Sequence, residues 1–149
     1  FEDHFSIGDI VEISGQMGTI EEIGLRTTRV KGFSGQLFIM PNGSIQTVTN
    51  WSKNQAKAIV NLPLAYGQDV KKIIAMLEEE SETALGSISG LVSKPAVVGV
   101  TEMNNYSLVI RVTADCETGA NWSVERDLRL IILERFNKEG VKSPCVREI

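Results

Sequence analysis

The amino-acid sequence predicts an α+β fold in which a small five-stranded β barrel precedes a ferredoxin-like α/β domain. Residues 1–57 alternate apolar and polar side chains over short runs that Gly, Pro and Asn interrupt, as strands and tight turns do. Residues 58–149 instead combine strand-like runs with two segments of helical periodicity. The sequence therefore predicts two domains, a β domain over 1–57 and an α/β domain over 58–149.

The composition is that of a globular protein with a packed core. The chain has 149 residues, of which 42% are hydrophobic and 23% charged, close to the average for soluble domains. Its net charge of −4 argues against a nucleic-acid partner, because phosphate binding needs an excess of Lys and Arg. No run approaches the roughly 18 apolar residues that a membrane-spanning helix needs.

Few residues suggest chemistry. Cys116 and Cys145 show no CxxC spacing, so neither a disulfide framework nor a zinc site is predicted. His4 is the sole histidine and lies between Asp3 and Asp9, which is too few ligands for a metal. No nucleophile elbow, phosphate-binding loop or Ser/His/Asp set is evident. We therefore expect no metal, no cofactor, no catalytic residues and a function that is not enzymatic.

Five runs in the first domain are predicted as strands, namely 10–13, 18–24, 25–30, 36–40 and 44–50. Residues that favour turns separate the strands at 14–15, 32–35 and 41–44. In the last of these turns, Asn42 and Gly43 would supply positive φ. Gly24 is expected at a bulge or bend. Five short strands over this length favour a small barrel of the Sm-like type, which removes sheet edges by closing on itself.

The second domain reads as strand, helix, strand, strand, helix and a short tail. The strands are expected at 57–65, 96–101 and 106–114, and the first helix at 68–84 with a stripe that includes Ile73 and Leu77. In the second helix Val124, Leu128, Ile131, Ile132 and Phe136 would be buried. Asn121 or Ser123 would cap this helix and Gly140 would end it. This order is the split βαβ pattern of a ferredoxin-like sandwich with its last strand short or truncated.

Several motifs in this order resemble the small-conductance mechanosensitive channel family (MscS type). They are Phe5-Ser-Ile-Gly-Asp9, the run Gly18 to Thr28, Ile39-Met-Pro-Asn42, Ile45, and Val48-Thr-Asn50-Trp-Ser52. The second domain adds Asp69-Val70, Val109-Ile-Arg-Val112 and Arg126-Asp-Leu-Arg129. The family motif positions are Gly8, Asp9, Gly18, Gly24, Arg26, Thr27, Pro41, Asn42 and Asn50, and we expect structural or assembly roles for them.

The resemblance implies a channel that opens under membrane tension and releases ions and small solutes during osmotic downshock. A pore-lining helix would precede Phe1, and the family's final strand would lie beyond Ile149. The β domain would lie under the membrane in a homo-oligomeric ring of seven subunits, and the α/β domain would form the wall of a cytoplasmic vestibule. The full-length protein would be located in the bacterial inner membrane, with the bilayer, permeating ions and other copies of itself as partners.

Some of these residues also have structural interpretations. The motif glycines can serve bends in any small barrel. Arg26, Arg29 and Lys31 form a basic cluster that the resemblance places near the membrane, but a solvated strand face with partners such as Glu12 or Glu21 explains it equally well. The acidic run Glu78-Glu79-Glu80 with Glu82 indicates a solvated helix end rather than a cation site.

One alternative of a different class remains open. Ferredoxin-like domains often bind small effectors, and small barrels often bind peptides or RNA, so the chain could be a regulatory binding module without a transport role. The absence of a basic surplus counts against RNA. Two or more apolar runs of about 20 residues upstream of Phe1 would favour the channel.

Overall fold

The computed structural model describes residues 5–52 and 56–144. The chain divides into two compact units, Phe1–Ala56 and Lys57–Ile149. Below they are called the β unit and the α/β unit. Within the described ranges, no helix is long and apolar enough to span a membrane.

The β unit is one five-stranded sheet in which neighbouring strands are antiparallel. Its strand order is β4-β3-β2-β1-β5, so β4 and β5 are the two edges. The strands are β1 (Ile10–Ile13), β2 (Gln16–Ile23), β3 (Thr27–Gly32), β4 (Leu37–Pro41) and β5 (Val48–Asn50).

Alternating side chains give this sheet one buried face. The buried cluster consists of Phe5, Val11, Ile13, Ile20 and Val30. Residues from both edge strands also pack against that cluster, so the five strands share a single core and the predicted β-rich first domain is confirmed. These additional residues are Ile23, Phe38, Met40, Ile45 and Val48. Among the described residues no ladder joins β4 to β5, so the sheet keeps two edges and the expected closure of the barrel is not seen.

One local prediction in the β unit is wrong, and a second holds only in part. Asn42 and Gly43 do not adopt positive φ. They belong to a 3-10 turn, Asn42–Ser44, because this segment connects the two edges of the sheet instead of closing a hairpin. The irregularity in β2 falls between Ile20 and Glu22. Gly24 begins the turn into β3, where its amide donates to the Thr27 carbonyl at 2.8 Å, so the expected bend is there and the expected bulge is not.

The α/β unit contains β6 (Ala56–Leu64), α1 (Val70–Ser87), β7 (Ala96–Met103), β8 (Leu108–Cys116) and α2 (Asn121–Glu139). Its sheet has the order β6-β8-β7, which is the split βαβ arrangement predicted from the sequence. Helix α1 contacts β7 and α2, and α2 contacts β8. The predicted core side chains of α2, apart from the half-buried Ile131, are buried.

The helix ends show which cap predictions hold. The Asp69 carboxylate accepts a hydrogen bond from the Lys72 amide at 3.2 Å and so caps α1. Neither predicted cap of α2 is used, because Asn121 is buried inside the first turn and the Ser123 hydroxyl donates backwards to the Ala120 carbonyl. Gly140 ends α2 in the left-handed conformation, at φ 71°, as predicted.

Candidate functional site

Most of the motif residues lie at one end of the β unit, here called the motif end. Because the strands alternate in direction, β1 and β3 begin at this end, and β2, β4 and β5 finish there. The motif end therefore comprises the segments 5–9, 24–26, 41–44 and 50–52.

Asn42 ties two loops of the motif end together. Its side-chain Nδ2 donates to the Gly24 carbonyl at 2.8 Å, and its Oδ1 accepts from the Thr28 hydroxyl at 2.6 Å. Its backbone N–H donates to the Arg26 carbonyl at 2.8 Å. Since Thr28 is completely buried, its hydroxyl needs such a partner. The 24–26 loop is thus held to the end of β4 by one side chain.

A second cluster joins the segment that leads into β1 to the segment that follows β5. Asn50 Nδ2 donates to Asp9 Oδ2 at 3.0 Å, and the same oxygen accepts from the Ser6 amide at 2.9 Å. The Ile10 amide donates to the Ser52 hydroxyl at 2.9 Å, and the Ser52 amide donates to Asn50 Oδ1 at 2.8 Å. These bonds connect the first and last strands of the unit at the motif end.

Of the remaining motif residues, Gly8, Thr27 and Pro41 lie at or next to the motif end, and Gly18 does not. Gly8 has φ 92°, and its amide donates to the Ile20 carbonyl. Thr27 and Pro41 face each other across β3 and β4. Gly18 lies away from the motif end. A Cβ atom at position 18 would come within 2.3 Å of the Lys31 carbonyl oxygen. Close strand packing therefore explains Gly18.

The three basic residues lie on β3 and in the loop that precedes it. Arg29 and Lys31 lie on the exposed face of β3, opposite Ile39 and Leu37, whereas Arg26 belongs to the 24–26 loop. Arg29 pairs with Glu22 at 3.4 Å and not with the suggested Glu12 or Glu21, because Glu22 lies directly across the ladder.

The acidic run of α1 serves intramolecular ion pairs. Arg135 contacts Glu79 at 2.7 Å and Glu80 at 3.1 Å, and these carboxylates raise the pKa of its guanidinium above the ordinary value. Lys94 contacts Glu82 at 2.7 Å, and this hydrogen bond raises the pKa of the Lys94 ammonium. The ion pairs connect α1 to α2 and to the segment before β7.

No three metal-ligating side chains converge within ranges 5–52 and 56–144. His4 lies outside these ranges. Two contributors to the motif end were not singled out from the sequence, namely Thr28 and Ser52. Both lie within the quoted motifs. Ser52 follows the motif residue Asn50 by two positions, whereas no local signal identifies Thr28, which meets Asn42 only in the folded sheet.

Comparison with known proteins agrees with this architecture. Residues 1–53 match the family model "Mechanosensitive ion channel, beta-domain", and residues 58–143 match "Mechanosensitive ion channel MscS, C-terminal". The Helicobacter pylori MscS crystal structure in its closed state superimposes with a TM-score of 0.81 at 18% identity, covering 99% of this chain and 58% of that chain. At this identity the likeness shows the fold alone.

Curated relatives extend the match at the sequence level. A small-conductance mechanosensitive channel of Caldanaerobacter subterraneus is 44% identical over 147 residues, which are 99% of this chain and 52% of that protein. The small-conductance mechanosensitive channel MscMJ of Methanocaldococcus jannaschii is 28% identical over 144 residues, 93% of this chain and 41% of its own. The chain thus spans about half or less of these relatives. Its two matched regions and its identity to the Caldanaerobacter channel show that it belongs to the MscS family of mechanosensitive ion channels.

Proposed function

We propose that this chain is the cytoplasmic part of a channel that opens under membrane tension and releases ions and small solutes during osmotic downshock. The observation that carries the proposal is the convergence of the motif residues at the motif end. There, the segment leading into β1 is bound to the rest of the β unit through Asp9, Asn50 and Ser52. Such an end is suited to receive a preceding pore segment. Conduction through a pore requires no catalytic residues.

We further propose that the protein works as a homo-oligomeric ring, seven-fold by family resemblance, whose α/β units wall a vestibule. The edge strand β4 supports association, because Leu37-Phe-Ile-Met-Pro41 has no charged residue and leaves Ile39 60% exposed. Soluble proteins usually protect such edges with charges. Since β4 and β5 are opposite edges of one sheet, pairing β4 of one copy with β5 of the next would be head-to-tail, and head-to-tail contacts can close into rings.

The test is survival of osmotic downshock by bacterial cells that lack their own mechanosensitive channels. Expression of the full-length protein should protect them and give tension-activated currents in membrane patches. Val11→Asp should abolish both, because it buries a charge at a completely buried position of the β unit. Lys71→Ala, on the exposed face of α1, is the matched control and should protect. Normal expression without any tension-activated current would contradict the proposal.

We also propose that Arg26, Arg29 and Lys31 lie near anionic lipid headgroups, where each cation contributes roughly 1 kcal/mol. Reversing Arg26 and Arg29 to Glu should weaken co-sedimentation of the oligomer with anionic liposomes at low salt and leave the fold unchanged. Reversing Lys71 and Lys72, which are exposed on α1, changes the net charge equally and should have a smaller effect. Equal effects of the two reversals would mean that the cluster is only a solvated face.

A further inference from the structure

The inference concerns the place where the chain passes into and out of the β unit. Strands β1 and β5 are antiparallel neighbours, with Val11 opposite Asn50 and Ile13 opposite Val48. The first residues of β1 and the last residues of β5 therefore lie side by side at the motif end. The incoming segment, 6–9, and the outgoing segment, 51–52, meet there.

Side chains bind these two segments to each other beyond what the ladder provides. Asp9 Oδ2 accepts from both Asn50 Nδ2 and the Ser6 amide, at 3.0 and 2.9 Å. The Ser52 hydroxyl accepts from the Ile10 amide at 2.9 Å, and the Trp51 amide donates to the Ile10 carbonyl at 2.9 Å. We call the group of Asp9, Asn50 and Ser52 the clamp.

The geometry gives the clamp a mechanical position. A force that separates the incoming from the outgoing segment opens an antiparallel pair from its end, one bond after another, instead of loading all of its bonds together. The clamp bonds lie at that end and are loaded before the ladder between β1 and β5. The two bonds that the Asp9 carboxylate accepts, from Asn50 Nδ2 and from the Ser6 amide, are charge-assisted, and such bonds are stronger than neutral ones.

We propose that the clamp couples movement of the incoming segment to the outgoing segment, which leads towards the α/β unit, so that the β unit moves as one piece when the channel opens. This inference rests on the proposed channel function. Asp9, Asn50 and Ser52 are then positioning residues for gating, and they do not contact the permeating ions. With the clamp open, the pore segment moves without displacing the rest of the β unit, and less tension is needed.

Exchanging the two side chains provides the test. In Asn50→Asp two carboxylates face each other, so the clamp opens. In the double variant Asp9→Asn/Asn50→Asp, the amide donor is at position 9 and the carboxylate is at position 50. The hydrogen bond can then form in the opposite direction, and the clamp closes again. In the 149-residue chain, hydrogen exchange at the Ile10 and Trp51 amides should rise at least about tenfold in Asn50→Asp and return in the double variant. Amides between β2 and β3 should not change in either variant.

In the full-length protein, the tension for half-maximal opening should fall in Asn50→Asp and return towards the wild-type value in Asp9→Asn/Asn50→Asp. Thr49→Ala, an exposed neighbour in β5, is the control and should leave it unchanged. Unchanged exchange in Asn50→Asp, or increased exchange with unchanged tension, overturns the clamp while leaving the proposed function intact. A wild-type protein without tension-activated current overturns the proposed function, and the clamp proposal with it.

Discussion

At the scale of single residues, the two motif asparagines show what sequence motifs can and cannot indicate. Asn42 and Asn50 were identified as motif positions, but their roles depend on partners distant in sequence. Asn42 bonds Gly24 and Thr28, and Asn50 bonds Asp9. No local pattern encodes such pairs, because they form only when strand order brings two loops to the same end. The tight-turn prediction for Asn42 and Gly43 was wrong for the same reason.

Replacing Asn42 by Ala should destabilise the β unit. The substitution removes the partner of the buried Thr28 hydroxyl and the donor to the Gly24 carbonyl, and leaving a buried polar group unsatisfied costs about 1–3 kcal/mol. Chemical denaturation of the 149-residue chain measures the change. Ser44→Ala removes an exposed hydroxyl that bonds the Pro41 carbonyl and should cost much less. Similar losses in the two variants would exclude a special role for the Asn42 side chain.

The buried thiol of Cys116 predicts a dependence of stability on pH. Burial raises the pKa of this thiol above its ordinary value of 9.0. In the unfolded chain the thiol ionises near that value, so above about pH 9 the unfolded state binds fewer protons than the folded state and stability falls. Below about pH 9 the thiol is protonated in both states, and its contribution to stability is fully present. The decrease in unfolding free energy between pH 8 and 10 should be smaller in Cys116→Ala, and identical slopes would contradict the prediction.

At the scale of elements, periodicity located the helices and strands well, and their ends less well. The buried stripes of α1 and α2 follow from helical spacing alone, and Gly140 ends α2 as expected. The cap of α2 could not be predicted, because Asn121 is drawn into the core instead of bonding a backbone amide. Similarly, the alternation over 44–50 predicted a longer strand than Val48–Asn50, since its first residues cross between the two edges of the sheet.

The free edge of β6 shows how a strand end is protected within the α/β unit. The Ile59 amide donates outward to Glu125 Oε2, and the Ala65 amide donates outward to the Lys142 carbonyl, each at 3.1 Å. Pro63 has the same outward orientation but no N–H to donate. This pattern discourages extension of the sheet beyond β6.

Glu125→Ala should therefore open this edge. The loss of one hydrogen bond to a carboxylate should lower the unfolding free energy by about 1–3 kcal/mol, and exchange at the Ile59 amide should accelerate. Glu125→Gln keeps an oxygen acceptor at the same position and should retain most of the protection. If exchange at the Ile59 amide is unchanged in Glu125→Ala, the Glu125 side chain does not protect the edge and its contact with Ile59 is incidental.

At the scale of the whole molecule, the sequence predicted two folds and a family, because strand periodicity, helix periodicity and ordered motifs are local properties. The surfaces used for assembly are not local properties of the sequence. The exposed aliphatic side chains of β4 and the basic face of β3 are visible only once the register pairs Leu37 with Lys31 and Ile39 with Arg29. Read along the sequence, Leu37-Phe-Ile-Met-Pro41 is an uninterrupted apolar run that does not indicate which of its side chains stay exposed.

The last prediction concerns this assembly. Association must offset roughly 4–15 kcal/mol of lost translational and rotational freedom at each step. In the full-length protein, we expect the bilayer to confine and orient the copies and further segments to add contact area, so that β4 and β5 edges meet at a high effective concentration. The 149-residue chain lacks that confinement, so it should be a monomer or a weak, concentration-dependent oligomer at micromolar concentration.

Light scattering after size exclusion distinguishes these states, with the detergent-solubilised full-length protein expected as one discrete ring. Ile39→Lys adds a charge to the exposed face of the β4 edge and should weaken association in both forms, whereas Lys71→Ala on α1 should not. A stable ring formed by the 149-residue chain alone would contradict the prediction, because it would show that contacts within this part suffice without the membrane. If Ile39→Lys left that ring intact, the contacts would have to lie away from β4.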